Sequence, residues 1–169
     1  IGTTNAKSVA LSFYDAQGNL IKRFSSDDHQ EREPRVKKEQ GFHRFIWDMR
    51  YPDATKLPGS QAGLSGYWGG STIGPEAVPG AYEVHLEVDG KMEAQRFEIR
   101  KDPRVSANQE DLQAQFDLLI AIRDKLAAVH DAVLKSRDLR EQLTLWEVRL
   151  RAASQIRLAE ETREVADRL

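Results

Sequence analysis

Hydrophobic and polar residues alternate one by one near the start of the chain, and this period of two predicts β-strands. Residues 8–14 show the alternation first. The polar cluster 15–19 predicts a turn in which Gly18 takes a positive φ, and residues 20–24 predict a returning strand. Together these segments are typical of a β-hairpin.

A second hairpin is indicated further along the chain. Residues 81–88 alternate regularly, with Tyr82 on the apolar face. The Asp-Gly dipeptide at 89–90 predicts a type I′ turn, and residues 91–100 predict a return strand with Phe97 facing inward. A hairpin with one polar, solvent-exposed face and one apolar, buried face is typical of an antiparallel sheet in a β-sandwich.

A third alternating segment, residues 42–51, predicts the central strand of this sandwich. Phe45 and Trp47 share its inner face. Pro52 lacks an N–H for a ladder, so we expect strand pairing to stop near Tyr51.

The apolar spacing changes to three and four after residue 105, which predicts helix to the end of the chain. Ser106 is the expected N-cap, with Gln109 completing a capping box. A first seam contains Leu112, Phe116, Leu119, Ile122, Leu126, Val129 and Val133; a second contains Leu139, Leu143, Trp146 and Leu150; a third contains Leu158, Thr162, Val165 and Leu169.

The division of this region into helices stays open at the sequence level. The seam loses its register after Val133, so the helix either rotates its face or breaks near residues 135–138. A turn is expected near residues 152–155. Because Trp146 and the leucine face need a partner surface, we expect a helical hairpin or small bundle.

Two segments predict loops. Residues 25–40 are charged and almost without apolar side chains, which predicts an exposed, mobile loop; a charged docking loop is the less favoured alternative. Residues 51–80 are rich in glycine and proline. Tyr67 and Trp68 lie within this second loop; together with Tyr51 they either pin the loop to the domain or form a platform that stacks on a sugar or peptide, and pinning is the favoured interpretation.

Composition narrows the functional classes for these 169 residues. The net charge of −2, with basic and acidic residues interleaved, gives no reason to expect nucleic acid as a partner. No apolar run approaches 18 residues, so no membrane span is predicted. The absence of cysteine excludes disulfides and thiolate chemistry within these residues. The chain opens without an initiator methionine, which suggests a fragment or a processed product.

Candidate chemistry is sparse. The four histidines have no metal-ligand spacing, so no cofactor or metal is predicted, and a functional pair of His43 and His85 is disfavoured. Asp48 at the end of the central strand is either a general acid or base, or a structural group that caps backbone N–H groups of the following loop or pairs with Arg50 or Arg44. The structural interpretation is favoured.

Several strings in the sequence carry a family resemblance. They are Val9–Phe13, Asp15–Gly18, Gly41–Pro52 with its WDMRYP end, the Gly74-Pro75…Ala77…Pro79-Gly80…Tyr82 pattern, and Asp102-Pro103-Arg104. Together they resemble the C-terminal region of large bacterial propeller proteins with BNR/sortilin-like repeats, often labelled glycosyl hydrolases. The β part is similar to the FlgD-type immunoglobulin-like domain, although Met49-Arg50-Tyr51 stands where the simpler FlgD pattern has a glycine.

The resemblance implies an α+β chain with an antiparallel immunoglobulin-like β-sandwich at 1–104 and an amphipathic helical region at 105–169. It implies that the chain is a non-catalytic accessory module of a larger protein. The expected partner is the N-terminal β-propeller of that larger protein, which is expected to be exported to the periplasm or the extracellular space. The helices could also join two copies. The alternatives are a carbohydrate- or peptide-binding module that uses Tyr51, Tyr67 and Trp68, and, less favoured, a hydrolase that uses Asp48. Phe45, Trp47, Asp48, Arg50 and Tyr82 are expected to be structural.

Overall fold

The computed structural model describes residues 6–27, 34–58 and 72–169. Within them, four strands precede two helices, which confirms the α+β class. The strands are β1 (Val9–Tyr14), β2 (Leu20–Ser25), β3 (Gly80–Val88) and β4 (Lys91–Ile99), and the helices are α1 (Gln109–Ala152) and α2 (Ile156–Arg168). The strands form one antiparallel sheet in the order β2-β1-β3-β4.

Both predicted hairpins are confirmed, and local turn chemistry explains them. In the β1–β2 turn, the Asp15 carboxylate accepts hydrogen bonds from the backbone N–H groups of Gln17 (3.0 Å) and Asn19 (2.8 Å), and Gly18 has φ 81°. In the β3–β4 turn, Asp89 and Gly90 both have positive φ, 49° and 81°. Two positive φ values define the type I′ turn, whose twist matches that of the flanking strands.

Aromatic rings fill the core on one face of the sheet. The Phe13 ring stacks on Trp47 at 4.4 Å between centroids, and Phe24 packs against Phe45 at 4.8 Å. Val36, from the segment expected to be an exposed loop, is buried in the same cluster. Residues outside the sheet therefore contribute to the core on this face.

The predicted central strand is wrong in its hydrogen bonding and right in its side-chain pattern. No regular strand covers residues 42–49, and Arg50 makes only an isolated bridge with Glu76. Phe45 and Trp47 nevertheless pack on the core, while Ile46 between them is 67% exposed. Alternation thus fixed which side chains face the core, but it did not supply a ladder partner.

Helix α1 begins two residues later than the capping box predicted. Asn108 is its N-cap, because the Asn108 Oδ1 accepts the backbone N–H of Asp111 at 2.8 Å. Gln109 instead donates its side-chain amide to the carbonyl of Pro79 at 2.8 Å. The helix then continues through residues 135–138 without a break, so the loss of register there is a rotation of the apolar face.

The predicted turn near residues 152–155 is confirmed as a Schellman motif. Gln155 N–H donates to Leu150 C=O at 2.9 Å and Ser154 N–H to Arg151 C=O at 3.0 Å, with Ser154 at φ 59°. The Arg140 Nε then donates to the carbonyl of Ala166 at 3.1 Å. Because Arg140 and Ala166 lie at similar distances on either side of the turn, α2 runs back along α1 as an antiparallel hairpin.

Two compact units divide the chain. Unit 1 comprises Ile1–Asp53 and Ile73–Ala121, and unit 2 comprises Ala54–Thr72 and Ile122–Leu169. The sheet and its aromatic core lie in unit 1. The greater part of α1 and all of α2 lie in unit 2.

Candidate functional site

The base of the glycine-rich loop is a hydrogen-bonded stem in unit 1. Ala77 N–H donates to Met49 C=O at 2.7 Å, and Tyr51 N–H donates to Pro75 C=O at 2.9 Å. The Arg50 guanidinium donates to Gly74 C=O at 3.0 Å and pairs with the Glu76 carboxylate. The stem thus holds the two ends of the loop together.

Asp48 and Gly74 each have a local structural role in this stem. The Asp48 Oδ1 accepts the backbone N–H of Arg50 at 3.1 Å, a cap on the turn that enters the stem. A Cβ at Gly74 would lie 2.0 Å from the carbonyl oxygen of Tyr51, so only glycine allows this close approach.

The predicted ligand-binding aromatics divide into two groups. The half-buried Tyr51 ring contacts Phe116 edge to face at 4.8 Å, which is the geometry of a packing residue. Tyr67 and Trp68 lie outside the described residues. Of the predicted structural residues, Tyr82 is buried, and its hydroxyl donates to Val78 C=O at 2.6 Å.

Asp48 has no histidine partner among residues 6–27, 34–58 and 72–169. The His43 Nε2 lies 2.6 Å from the carbonyl oxygen of Glu39, and the His85 Nε2 lies 2.6 Å from the Glu83 carboxylate. The Asp48 carboxylate is instead occupied by the backbone of Arg50. This arrangement supports a structural role for Asp48.

The face of the sheet opposite the aromatic core carries a polar cluster that the sequence reading did not single out. Glu83 accepts from His85, and its second oxygen accepts from Arg96 Nε at 3.2 Å. The Tyr14 ring lies 4.3 Å from the His85 ring. The Asp-Gly turn could have revealed the pair, because its register places Glu83 directly opposite Arg96.

This cluster lines an open cleft of about 660 Å³ beside the β1–β2 turn. Hydrogen bonds from His85 and then Arg96 lower the pKa of Glu83, so that carboxylate is charged near neutral pH. A lowered pKa makes the Glu83 carboxylate a weaker base than an ordinary glutamate, which disfavours a role as a general base.

The helical hairpin of unit 2 has an apolar side. Arg140 marks the row of α1 that contacts α2, and Ala159 and Ala166 are the buried residues of α2. Each helix of an antiparallel pair has a row of residues that faces the other helix. The residue directly before each of these contact residues points to one and the same side of the pair on both helices. The residues in those positions are Leu139, Trp146, Leu158 and Val165, and we call this set the hairpin face.

The hairpin face is substantially open to solvent. Its four side chains are between 42% and 55% exposed. The third seam is helical, as predicted, but Leu158 and Val165 are exposed, whereas the buried residues of α2 are Ala159 and Ala166. Arg149 lies over the Trp146 ring at 5.5 Å, an arrangement that leaves the ring beside a cation.

No group of three or more histidine, aspartate or glutamate side chains is placed to hold a metal within the described part of the chain. Neither α1 nor α2, the two helices found in that part, is long and apolar enough to cross a membrane.

Comparisons with protein-family models, with curated proteins and with solved structures give no match to this chain. The resemblance to propeller-protein C-termini and to FlgD-type domains therefore stays a prediction that rests on its sequence strings.

Proposed function

We propose that this chain is a non-catalytic accessory module that binds another protein surface through the hairpin face. The observation that carries the proposal is the exposure of Leu139, Trp146, Leu158 and Val165, four large apolar side chains that project to one side of α1 and α2. Large contiguous apolar patches on soluble domains commonly mark interaction sites.

The burial pattern of unit 2 supports this proposal. Helix α1 has no buried residue along its 44 residues, and α2 buries only Ala159 and Ala166. Ile122 and Val129, seven residues apart on α1, are also more than half exposed. An amphipathic helix gains most of its stability by burying its apolar stripe, so these side chains favour a partner.

We propose further that the β region is an immunoglobulin-like sandwich, as the resemblance implies. Its second layer would consist of the segments that carry Val36, Phe45, Trp47 and Ala77, all of which pack on the core of the sheet. The isolated bridge between Arg50 and Glu76 supports the beginning of a second sheet there.

The proposed partner is the β-propeller of a larger exported protein, in the position N-terminal to this chain. This part rests on the sequence resemblance alone. The packing of Tyr51 on Phe116 supports pinning of the loop over the ligand-stacking alternative, and the engagement of Asp48 by Arg50 N–H supports the accessory role over the hydrolase alternative.

The test is a calorimetric titration of this chain with the protein region encoded directly upstream of Ile1 in the same reading frame. We expect propeller repeats in that region and saturable binding. The double substitution Trp146→Ser/Val165→Ser should weaken binding at least about tenfold, as loss of buried anchors does.

The matched control is Glu141→Ser/Glu160→Ser, which alters exposed polar residues of the same two helices. It should leave the affinity unchanged. An upstream region without propeller repeats would contradict the parentage. Absence of binding, or equal weakening by both double variants, would contradict docking through the hairpin face.

A further inference from the structure

Residues 42–48 have the side-chain pattern of a strand but pair with no strand in the described part of the chain. Phe45 and Trp47 pack inward on the core, whereas Arg44, Ile46 and Asp48 are exposed. Within the described ranges, no backbone N–H or C=O from residue 42 to residue 48 makes a hydrogen bond to another protein group.

The ladder stops abruptly at one end of this segment. Met49 and Tyr51 bond to the strand-like stem at residues 75–77, and Met49 has φ 58°. Before Met49 the alternating segment has no backbone hydrogen bond to any other residue that the structure describes. An exposed row of free N–H and C=O groups is a template for pairing with another strand.

We propose that this edge pairs antiparallel with the same segment of a second copy of the chain, centred on Ile46. The charges favour that occupant, because Arg44 and Asp48 lie two residues on either side of Ile46. Antiparallel pairing about Ile46 places Arg44 of each copy opposite Asp48 of the other and brings the two Ile46 side chains together.

The same charges disfavour the in-register parallel arrangement, which would set Arg44 beside Arg44 and Asp48 beside Asp48. Both side chains are available for the antiparallel contact. Arg44 makes no ion pair within the described residues, and Asp48 uses only Oδ1 for the Arg50 N–H. The pairing is isologous and closes as a two-fold dimer.

Residues 42–48 belong to unit 1 and the hairpin face belongs to unit 2, so pairing at this edge does not depend on the proposed role of the helices. A single pair of short strands buries less area than a standard stable interface, so the dimer should be weak and concentration-dependent.

Sedimentation equilibrium over a wide range of protein concentration tests this proposal. For the wild type, the weight-average mass should rise from 19.2 kDa towards twice that value. Arg44→Asp and Asp48→Arg should each weaken dimerisation by about tenfold, since either substitution sets like charges opposite each other in two places.

The double variant Arg44→Asp/Asp48→Arg restores opposite charges in reversed order and should recover wild-type dimerisation. Lys135→Asp on α1 is the control for the altered net charge and should have no effect. Because Asp48→Arg also removes the cap on Arg50, circular dichroism should verify its fold, and Arg44→Asp provides the test that keeps the cap.

Three results of the sedimentation experiments would overturn the proposal. They are a monomer at every concentration, a dimer that Arg44→Asp leaves unchanged, and a double variant that is no tighter than either single variant. Slower hydrogen exchange of the amides at residues 43–47 with rising concentration would support it, and exchange independent of concentration would contradict it.

Discussion

At the scale of single residues, two tryptophans of this chain have opposite environments. Trp47 stacks on Phe13 at 4.4 Å and also contacts Tyr82 and Phe97 edge to face, whereas Trp146 is 55% exposed on the hairpin face. The sequence places both in regular apolar patterns. Only the surroundings determine which of them stabilises the fold.

Replacement of each tryptophan by alanine should therefore give unequal results. Trp47→Ala should lower the free energy of unfolding by about 3 kcal/mol, because it opens a cavity in the aromatic core. Trp146→Ala, the matched control, should cost less than about 1 kcal/mol. Urea denaturation of the two variants measures the difference, and equal losses would show that Trp47 is not a core residue.

The carboxylate of Glu83 should make stability depend on pH. Its hydrogen bonds from His85 and Arg96 lower its pKa from the ordinary value of 4.5. A carboxyl group with a lowered folded-state pKa stabilises the fold above its unfolded-state pKa, and that contribution is lost as the pH falls through the folded-state value. Glu83→Gln should therefore lower the melting temperature near neutral pH and by less below pH 4.5; an equal decrease at both pH values would disprove the linkage.

At the scale of elements, the start of α1 depends on one side chain. Asn108→Ala should lower the free energy of unfolding by about 0.5–2 kcal/mol, because it removes the acceptor for the Asp111 N–H. Ser106→Ala, at the position that the capping box favoured, should be nearly neutral. Chemical denaturation compares the two variants, and a larger loss at Ser106 would restore the earlier helix start.

The turn between α1 and α2 carries strain at Ser154, a non-glycine residue at φ 59°. Ser154→Gly should raise the free energy of unfolding by about 0.5–1 kcal/mol, since glycine adopts the left-handed region without the steric cost. Ala153→Gly, one position earlier, lacks this benefit and should be neutral or destabilising. Thermal unfolding of the two variants tests the assignment of the Schellman motif.

The sequence predicted those elements whose signals are local. Alternation and the Asp89-Gly90 turn gave both hairpins, and the spacing of three and four gave the helical region. It failed at residues 42–49, because alternation reports a buried face and not the presence of a hydrogen-bonding neighbour. It also did not identify Ala159 and Ala166 as the buried residues of α2.

The sequence predicted less about the polar cluster around Glu83 and the edge at residues 42–48, because such surfaces form between segments that are distant in the chain. The pairing of Glu83 with Arg96 follows from the turn register and could have been derived. The open edge at residues 42–48 depends on which backbone groups find partners, and that is a property of the tertiary structure.

At the scale of the whole molecule, the two units bury very different side chains. The described residues of unit 1 bury aromatic and branched side chains such as Phe13, Phe24 and Ile21. The buried apolar residues in the described part of unit 2 are all alanines: Ala54, Ala159 and Ala166. A unit that buries so little apolar volume gains little stability from its own core, which favours a partner on the hairpin face.

The most direct test of that central claim is the environment of Trp146 when the partner is added. The chain is labelled with 5-fluorotryptophan, its fluorine resonances are assigned with Trp47→Phe and Trp146→Phe, and the protein region encoded upstream of Ile1 is titrated in. If the partner docks on the hairpin face, the Trp146 resonance should shift or broaden while the Trp47 resonance stays in place. A Trp146 resonance that remains unchanged at saturating partner would contradict it.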